Sequence, residues 1–213
     1  MKLNPTKCKY MIFSRSGEHF STRLKLDSEN LERTKVLKIL GLYITENLSW
    51  SENCSEICRK AFSRMQMLTK LKYVGVAIED LIEVYVLYIR SLAEYCSVVF
   101  HSSLTIEQSN KLERIQKTAL KIILGEMYVE YSAALEMSGL DTLYVRRTKR
   151  CLDFALKCTK HLKNQRMFPK NVTHGHQVRS SEMYKVNFAR TSRYMQSTIP
   201  YCQRLLNKHI NEK

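Results

Sequence analysis

Arg146, Lys149, Arg150, Lys157 and Lys160 recur at three-, four- and seven-residue steps. On a helix that spacing gathers them on one face. Arg147 stands beside the row, and Asp153 is the acid that interrupts it. Like charges placed this way repel one another by roughly a few tenths of a kcal/mol per pair. An anionic partner relieves that repulsion, so the row is a candidate for phosphate contact; the bland alternative is a solvated face. Arg59, Lys60 and Arg64 form a second, smaller basic set, off the apolar stripe of their segment and toward solvent or a ligand.

Charge along the chain points the same way. Residues 143–213 carry 16 basic and 3 acidic side chains, whereas residues 1–142 carry 19 and 17. Most of the formal net charge of +15 therefore lies in the last third. A one-sided positive field attracts polyanions, with nucleic acid the first candidate and an anionic membrane surface the second. A solubilising charged tail is the alternative.

Other chemistry is thin. The sequence has no Walker-type phosphate loop and no H-E-x-x-H. Asp27, Asp80, Asp141 and Asp153 fall on different expected elements. A two-metal phosphoryl-transfer site needs carboxylates holding ions roughly 4 Å apart, so no catalytic residue is assigned. Cys54 and Cys58, like Cys151 and Cys158, fall on apolar helical stripes, where cysteine acts as a small hydrophobe. His174-Gly175-His176 has no cysteine close by in sequence. No metal ligand set and no cofactor is assigned, and no Cys/His pair is singled out as a nucleophile. Seven scattered cysteines read as reduced thiols, which places the expected location inside the cell, cytoplasmic or nuclear. The stretch Leu81 to Ile89 is interrupted by Glu83 and closed by Arg90, too short to span a bilayer; of the two polyanion candidates nucleic acid is taken and no membrane partner is assigned.

The elements that must position these side chains are mostly helices. Six Gly and three Pro are few for 213 residues and favour a mainly α fold over a turn-rich β fold. Lys9 to Phe13 and Val36 to Ile44 read as short strands of a hairpin or small sheet, with Gly17 in a polar turn and Gly41 breaking the second run. Ser51 is placed to cap a helix whose stripe is Cys54, Ile57, Cys58, Ala61, Met65 and Leu68. Ile78 to Val99 reads as one helix, apolar over most of its circumference and so central. Its tyrosines fit core positions with satisfied hydroxyls, with stacking platforms for nucleic acid the alternative. Thr105-Ile106-Glu107-Gln108 fits a capping box before the stripe Leu112, Ile115, Ala119, Ile122 and Ile123, closed by Gly125. A short helix near Tyr131 to Met137 stops at Gly139. The basic row then belongs to a helix from Leu143 to Leu162 whose buried side is Cys151, Ala155, Cys158 and Leu162. From Phe168 the pattern loosens, before a weaker helix from about Pro200 to His209.

Several phrases of the chain resemble one family. Leu3-Asn4-Pro5-x-Lys7-Cys8, Ile39-Leu40-Gly41-Leu42-Tyr43-Ile44, Leu48-Ser49-Trp50, Ala93-Glu94-Tyr95-Cys96-Ser97, Leu112-Glu113-x-x-Gln116-Lys117-x-Ala119-Leu120-x-Ile122-Ile123 and Leu143-x-x-Arg146-Arg147 follow in the order found in non-LTR (LINE-type, jockey-like) retrotransposon reverse transcriptases. Each phrase is short, and their order and spacing carry the resemblance. Arg190 to Asn207 resembles the family's closing segment, and Phe100 departs from it, since relatives often have Trp there.

The resemblance implies a layout. Residues 1–45 correspond to the end of a palm, as short strands. Residues 46–125 correspond to a thumb-like helical bundle, 126–166 to basic connection helices, and 167–213 to a basic, partly irregular tail. Complete relatives are RNA-directed DNA polymerases using a Mg²⁺ pair on palm aspartates. This chain begins after that motif, so none of its residues receives that role and no polymerase activity is expected of it alone. The expected function is nonspecific binding of RNA or an RNA–DNA duplex through Arg146, Arg147, Lys149, Arg150, Lys157, Lys160, Arg59, Lys60 and Arg64. A separate palm-containing chain is a further possible partner. The alternatives are a helical protein-interaction module and a decayed element with no selected function.

Overall fold

The computed structural model describes residues 4, 7–14, 23–26, 28–171 and 182–212. Leu3, Pro5, Gly17, Asp27 and His174-Gly175-His176 lie outside the described residues. The chain divides into two compact units, residues 1–56 and 57–213. The fold is mainly α, and among the described residues the short strands lie in the first unit.

In the first unit, β1 (Lys9–Tyr10) pairs parallel with β4 (Glu32–Arg33), and β2 (Lys25–Leu26) pairs antiparallel with β3 (Glu29–Asn30). The longer hairpin joins β5 (Val36–Ile39) to β6 (Leu42–Thr45), with Val36 opposite Thr45 and Ile39 opposite Leu42. The Val36 to Ile44 run, expected to break at Gly41, folds on itself at that break. The reason is the Leu40-Gly41 pair, at φ 47° and 89°. Two successive positive φ values are what a tight two-residue hairpin requires. Glycine adopts them freely, whereas leucine pays roughly 1 kcal/mol or more. Leu40 is 87% exposed, so its side chain contributes little packing. Leu40→Asn should therefore raise the urea midpoint of this unit, followed through the fluorescence of Trp50; a lowered midpoint would contradict the turn assignment.

Helix α1 (Ser51–Tyr73) begins where expected and runs across the boundary between the units. Before the boundary, the Asn53 side-chain carbonyl accepts the Tyr43 amide at 3.2 Å, tying the hairpin to the first turn. All six residues of the expected stripe are buried.

The second unit is built from the remainder of α1 and the helices that follow. Here Ile78 to Val99 is not one helix. It comprises α2 (Ile78–Val84), a π-helical turn (Tyr85–Arg90), α3 (Ser91–Glu94) and, after a break, α4 (Ser97–Phe100). Two local features cause the departure. The wider π turn displaces the buried side to Leu81, Tyr85, Ile89 and Ala93, leaving Leu87 and Tyr88 exposed. Cys96 then takes a left-handed conformation, φ 50° and ψ 24°, and turns the chain. The segment is therefore buried on one side rather than all round, and Cys96 and Val99 face outward.

Helix α5 (Ile106–Leu124) starts with the complete capping box of Thr105 and Gln108 and ends at Gly125. It buries Leu112, Ile115, Ala119, Leu120 and Ile123, while Ile122, expected in the stripe, is only half-buried. Helix α6 (Tyr131–Ser138) ends at Gly139, which is left-handed at φ 64°. Helix α7 (Leu143–Lys160) is capped by the Thr142 hydroxyl accepting the Val145 amide at 3.2 Å. It stops before Leu162, which is 84% exposed rather than buried.

The segment read as loose is tied down where it is described. Helices α8 (Ser192–Met195) and α9 (Thr198–Asn211) follow, and α9 lies against α7. Phe168, Tyr184, Cys202 and Leu206 share a core with Cys151, Ala155 and Cys158. Two buried amide side chains of α9 hold backbone of the segment before it. Asn207 accepts the Tyr184 amide and donates to the Tyr184 carbonyl, both at 2.9 Å. Gln203 accepts the Asn187 amide at 2.8 Å and donates to the Met167 carbonyl at 2.7 Å. Their polarity at consecutive helical turns masked this buried face in the sequence. Among the described residues, no helix is long and apolar enough to cross a membrane.

Candidate nucleic-acid interface

Helix α7 sorts its basic residues by depth. Its inner side carries Leu143, Arg147, Cys151, Ala155 and Cys158, all buried. Arg147 is 0% exposed and spends its guanidinium inside the unit. Its Nε donates to His101 Nδ1 at 3.3 Å and its Nη2 donates to Ser109 Oγ at 3.2 Å. Arg147 therefore drops out of the expected binding set. One residue after Arg146 is a rotation of about 100° on a helix, and that turns it from the rim to the core.

His101 lies in the same pocket. Since Nδ1 accepts from Arg147, its proton sits on Nε2, which donates to Thr148 Oγ1 at 3.0 Å. The rings of Tyr144 and Tyr201 meet it edge-on. Burial, aided by the Arg147 charge, pulls the His101 imidazole down to about 4. The histidine is thus neutral at pH 7.

Arg146 and Arg150 are held by one carboxylate. Glu94, on α3, is only 4% exposed by its side chain. Both Arg146 Nε and Arg146 Nη2 donate to it, the latter at 3.2 Å, and Arg150 Nη2 donates at 2.7 Å. Arg90 adds an ion pair at 3.5 Å. Burial alone would raise the Glu94 carboxyl. The hydrogen bond from Arg146 and the charges of Arg146, Arg150 and Arg90 outweigh it, holding the group below the usual value. Three cations around one anion leave the cluster positive, and Arg150 remains half-exposed.

Lys149, Lys157 and Lys160 stand exposed on the outer side of α7, and none forms an ion pair with a described residue. Asp153, one turn from both Lys149 and Lys157, leaves them unpaired too. Val98, Arg146, Lys149, Arg150, Asp153, Phe154 and Lys157 line an open groove of about 450 Å³. Four of the expected binding residues are thereby brought together. Lys160 and the α1 residues Arg59, Lys60 and Arg64 do not line it. Arg64 is engaged nearer home: its Nη1 donates to the Tyr88 carbonyl, and its guanidinium sits 4.2 Å from the Tyr88 ring centre.

A second polar cluster sets the position of α7. The Glu113 carboxylate accepts the Leu143 amide at 2.9 Å and the Tyr144 amide at 3.2 Å, and also the Tyr131 hydroxyl. An acidic group on the first-turn amides satisfies orphan donors and complements the helix dipole. Gln116 accepts the Tyr85 hydroxyl at 2.8 Å and donates to the Asp141 carbonyl at 2.9 Å and the Tyr131 hydroxyl at 3.1 Å. Glu94, Glu113 and Gln116 are residues whose part in the interface the sequence did not reveal. The signal that could have found them was their place in the ordered phrases that carry the resemblance.

Among the described residues, no cluster of three or more His, Cys, Asp or Glu side chains could hold a metal ion. Both cysteine pairs are buried, and the sequence reading treats them as packing groups. Comparison of the chain with models of protein families, with curated proteins and with solved structures gives no match.

Proposed function

We propose that the helical unit binds RNA or an RNA–DNA duplex without sequence preference, through the outer side of α7. The observation that carries this reading is the row Lys149, Lys157 and Lys160, exposed and without an ion pair among the described residues, beside the groove that Arg146 and Arg150 also line. Unpaired exposed cations on one face repel each other, and phosphates relieve that repulsion while releasing counterions. In this proposal the chain corresponds to the thumb and connection of a non-LTR reverse transcriptase, beyond its catalytic palm. Support comes from the residues that make up the resemblance. Glu94 of one phrase binds Arg146 of another, and Glu113 caps the helix that Leu143 begins. Phrases distant in sequence interlock in space, as parts of one ancestral fold would.

The test is fluorescence anisotropy with a labelled RNA–DNA hybrid at several salt concentrations. Binding should weaken with salt, and Lys149→Glu with Lys157→Glu should lower the logarithmic salt slope by about 2. Charge reversal at Arg146 or Arg150 is unsuitable here, because it also breaks the Glu94 cluster. Salt-independent binding would remove phosphate contact as the explanation. No binding by the folded protein would leave the interaction-module and decayed-element readings.

A further inference from the structure

Phosphate contact alone does not explain why the basic groove has an apolar floor. Val98 and Phe154 line it together with Arg146, Lys149, Arg150, Lys157 and Asp153. Phe154 also packs against the core of α7 and α9, so its ring is held in place from behind while part of it faces the groove. Phe154 lies between Lys149 and Lys157 in sequence, and those two are about 12 Å apart along the helix axis. Aromatic side chains bracketed by cations are what single-stranded nucleic acid uses: the ring stacks a base, and the cations track the backbone. A duplex keeps its bases stacked inside and offers this floor nothing. A volume of about 450 Å³ falls in the range that holds a small-molecule-sized group.

We infer that this groove seats an unpaired base of a single-stranded RNA or DNA segment on Phe154 and Val98, with the neighbouring phosphates on Lys149, Arg150 and Lys157. The inference rests on the proposed function and narrows it, from polyanion contact to recognition of a strand whose bases are free. Asp153 contributes an acceptor at the groove wall for a base N–H donor.

The experiment compares two fluorescent probes, a single-stranded RNA and a blunt RNA–DNA hybrid of the same sequence, on the wild-type chain and on Phe154→Leu. Leucine preserves most of the core contact and removes the ring. The expected result is a loss of about tenfold on the single strand with the hybrid changed less than about twofold. A single strand carrying 5-iodouridine should photocross-link to Phe154 in the wild-type chain, mapped by mass spectrometry. Equal effects on both probes, or no effect on the single strand, would overturn the inference while salt-dependent hybrid binding left the broader proposal standing. Absence of binding to either probe would remove both. Should Phe154→Leu fail to fold by circular dichroism, the cross-link decides: a cross-link at Phe154 supports the seat, and one confined to other residues overturns it.

Discussion

Replacing Glu94 with alanine is expected to destabilise the helical unit by about 3–5 kcal/mol. The size follows from what the carboxylate leaves behind. Arg90 and Arg146 are largely covered, with side chains 12% and 28% exposed, and both face Glu94. Without it they are cations with reduced hydration and no counter-charge. Arg150 weighs least, since half of it reaches water and that attraction is screened. Glu94→Gln preserves shape and some hydrogen bonding, so it should fall between wild type and alanine. Urea denaturation followed by far-ultraviolet circular dichroism measures the difference. Lys149→Glu is the control, with a change within about 0.5 kcal/mol because it touches only a surface position. A Glu94→Ala midpoint matching that control would mean that the arginines do not depend on Glu94.

Acid is the second large lever. The His101 imidazole is pulled down to about 4 in the fold, against about 6.5 in an unfolded chain. Between those values the unfolded chain binds a proton that the folded chain does not. Stability is therefore complete above about pH 6.5 and falls as pH drops toward 4, by about 3 kcal/mol in all. Glu94 adds a loss of the same sign at lower pH, because its carboxyl is held below the ordinary value. The two windows are separable by mutation. His101→Phe should flatten the dependence between pH 6.5 and 4.5 while leaving the Glu94 loss below it. A wild-type stability that is level from pH 6.5 to 4.5 would show that His101 accepts its proton without disturbing the fold.

Much of the helical framework is legible in the residues. The capping box at Thr105, the stop glycines Gly125 and Gly139, and the stripe from Cys54 to Leu68 each act within a few residues, and each appears where the spacing places it. What escapes is decided by partners distant in sequence. Nothing near Cys96 announces a left-handed turn; the break places Glu94 beneath α7 and Phe100 in the core. Arg146 and Arg147 look alike in the sequence, yet one reaches Glu94, 52 positions away, and the other His101, 46 away. The outer row of lysines was readable because exposure needs no partner. The groove was not, since Val98 comes from a different helix. Gln203 and Asn207 hid the buried side of α9 by satisfying backbone that only the fold brings to them.

The seam between α4 and α9 sets a timetable for the nascent chain. The Thr198 hydroxyl meets the carbonyls of Val98 and Val99, about 100 positions earlier. At ribosomal rates of about 5–20 residues per second, α4 is made on the order of ten seconds before the strip that covers it. Cys151, Ala155 and Cys158 wait a shorter time for Cys202 and Leu206, their neighbours in the core. For that interval Cys151, Ala155 and Cys158 lack their α9 neighbours and form an apolar strip on a growing chain, the kind of surface that chaperones hold and that aggregation exploits.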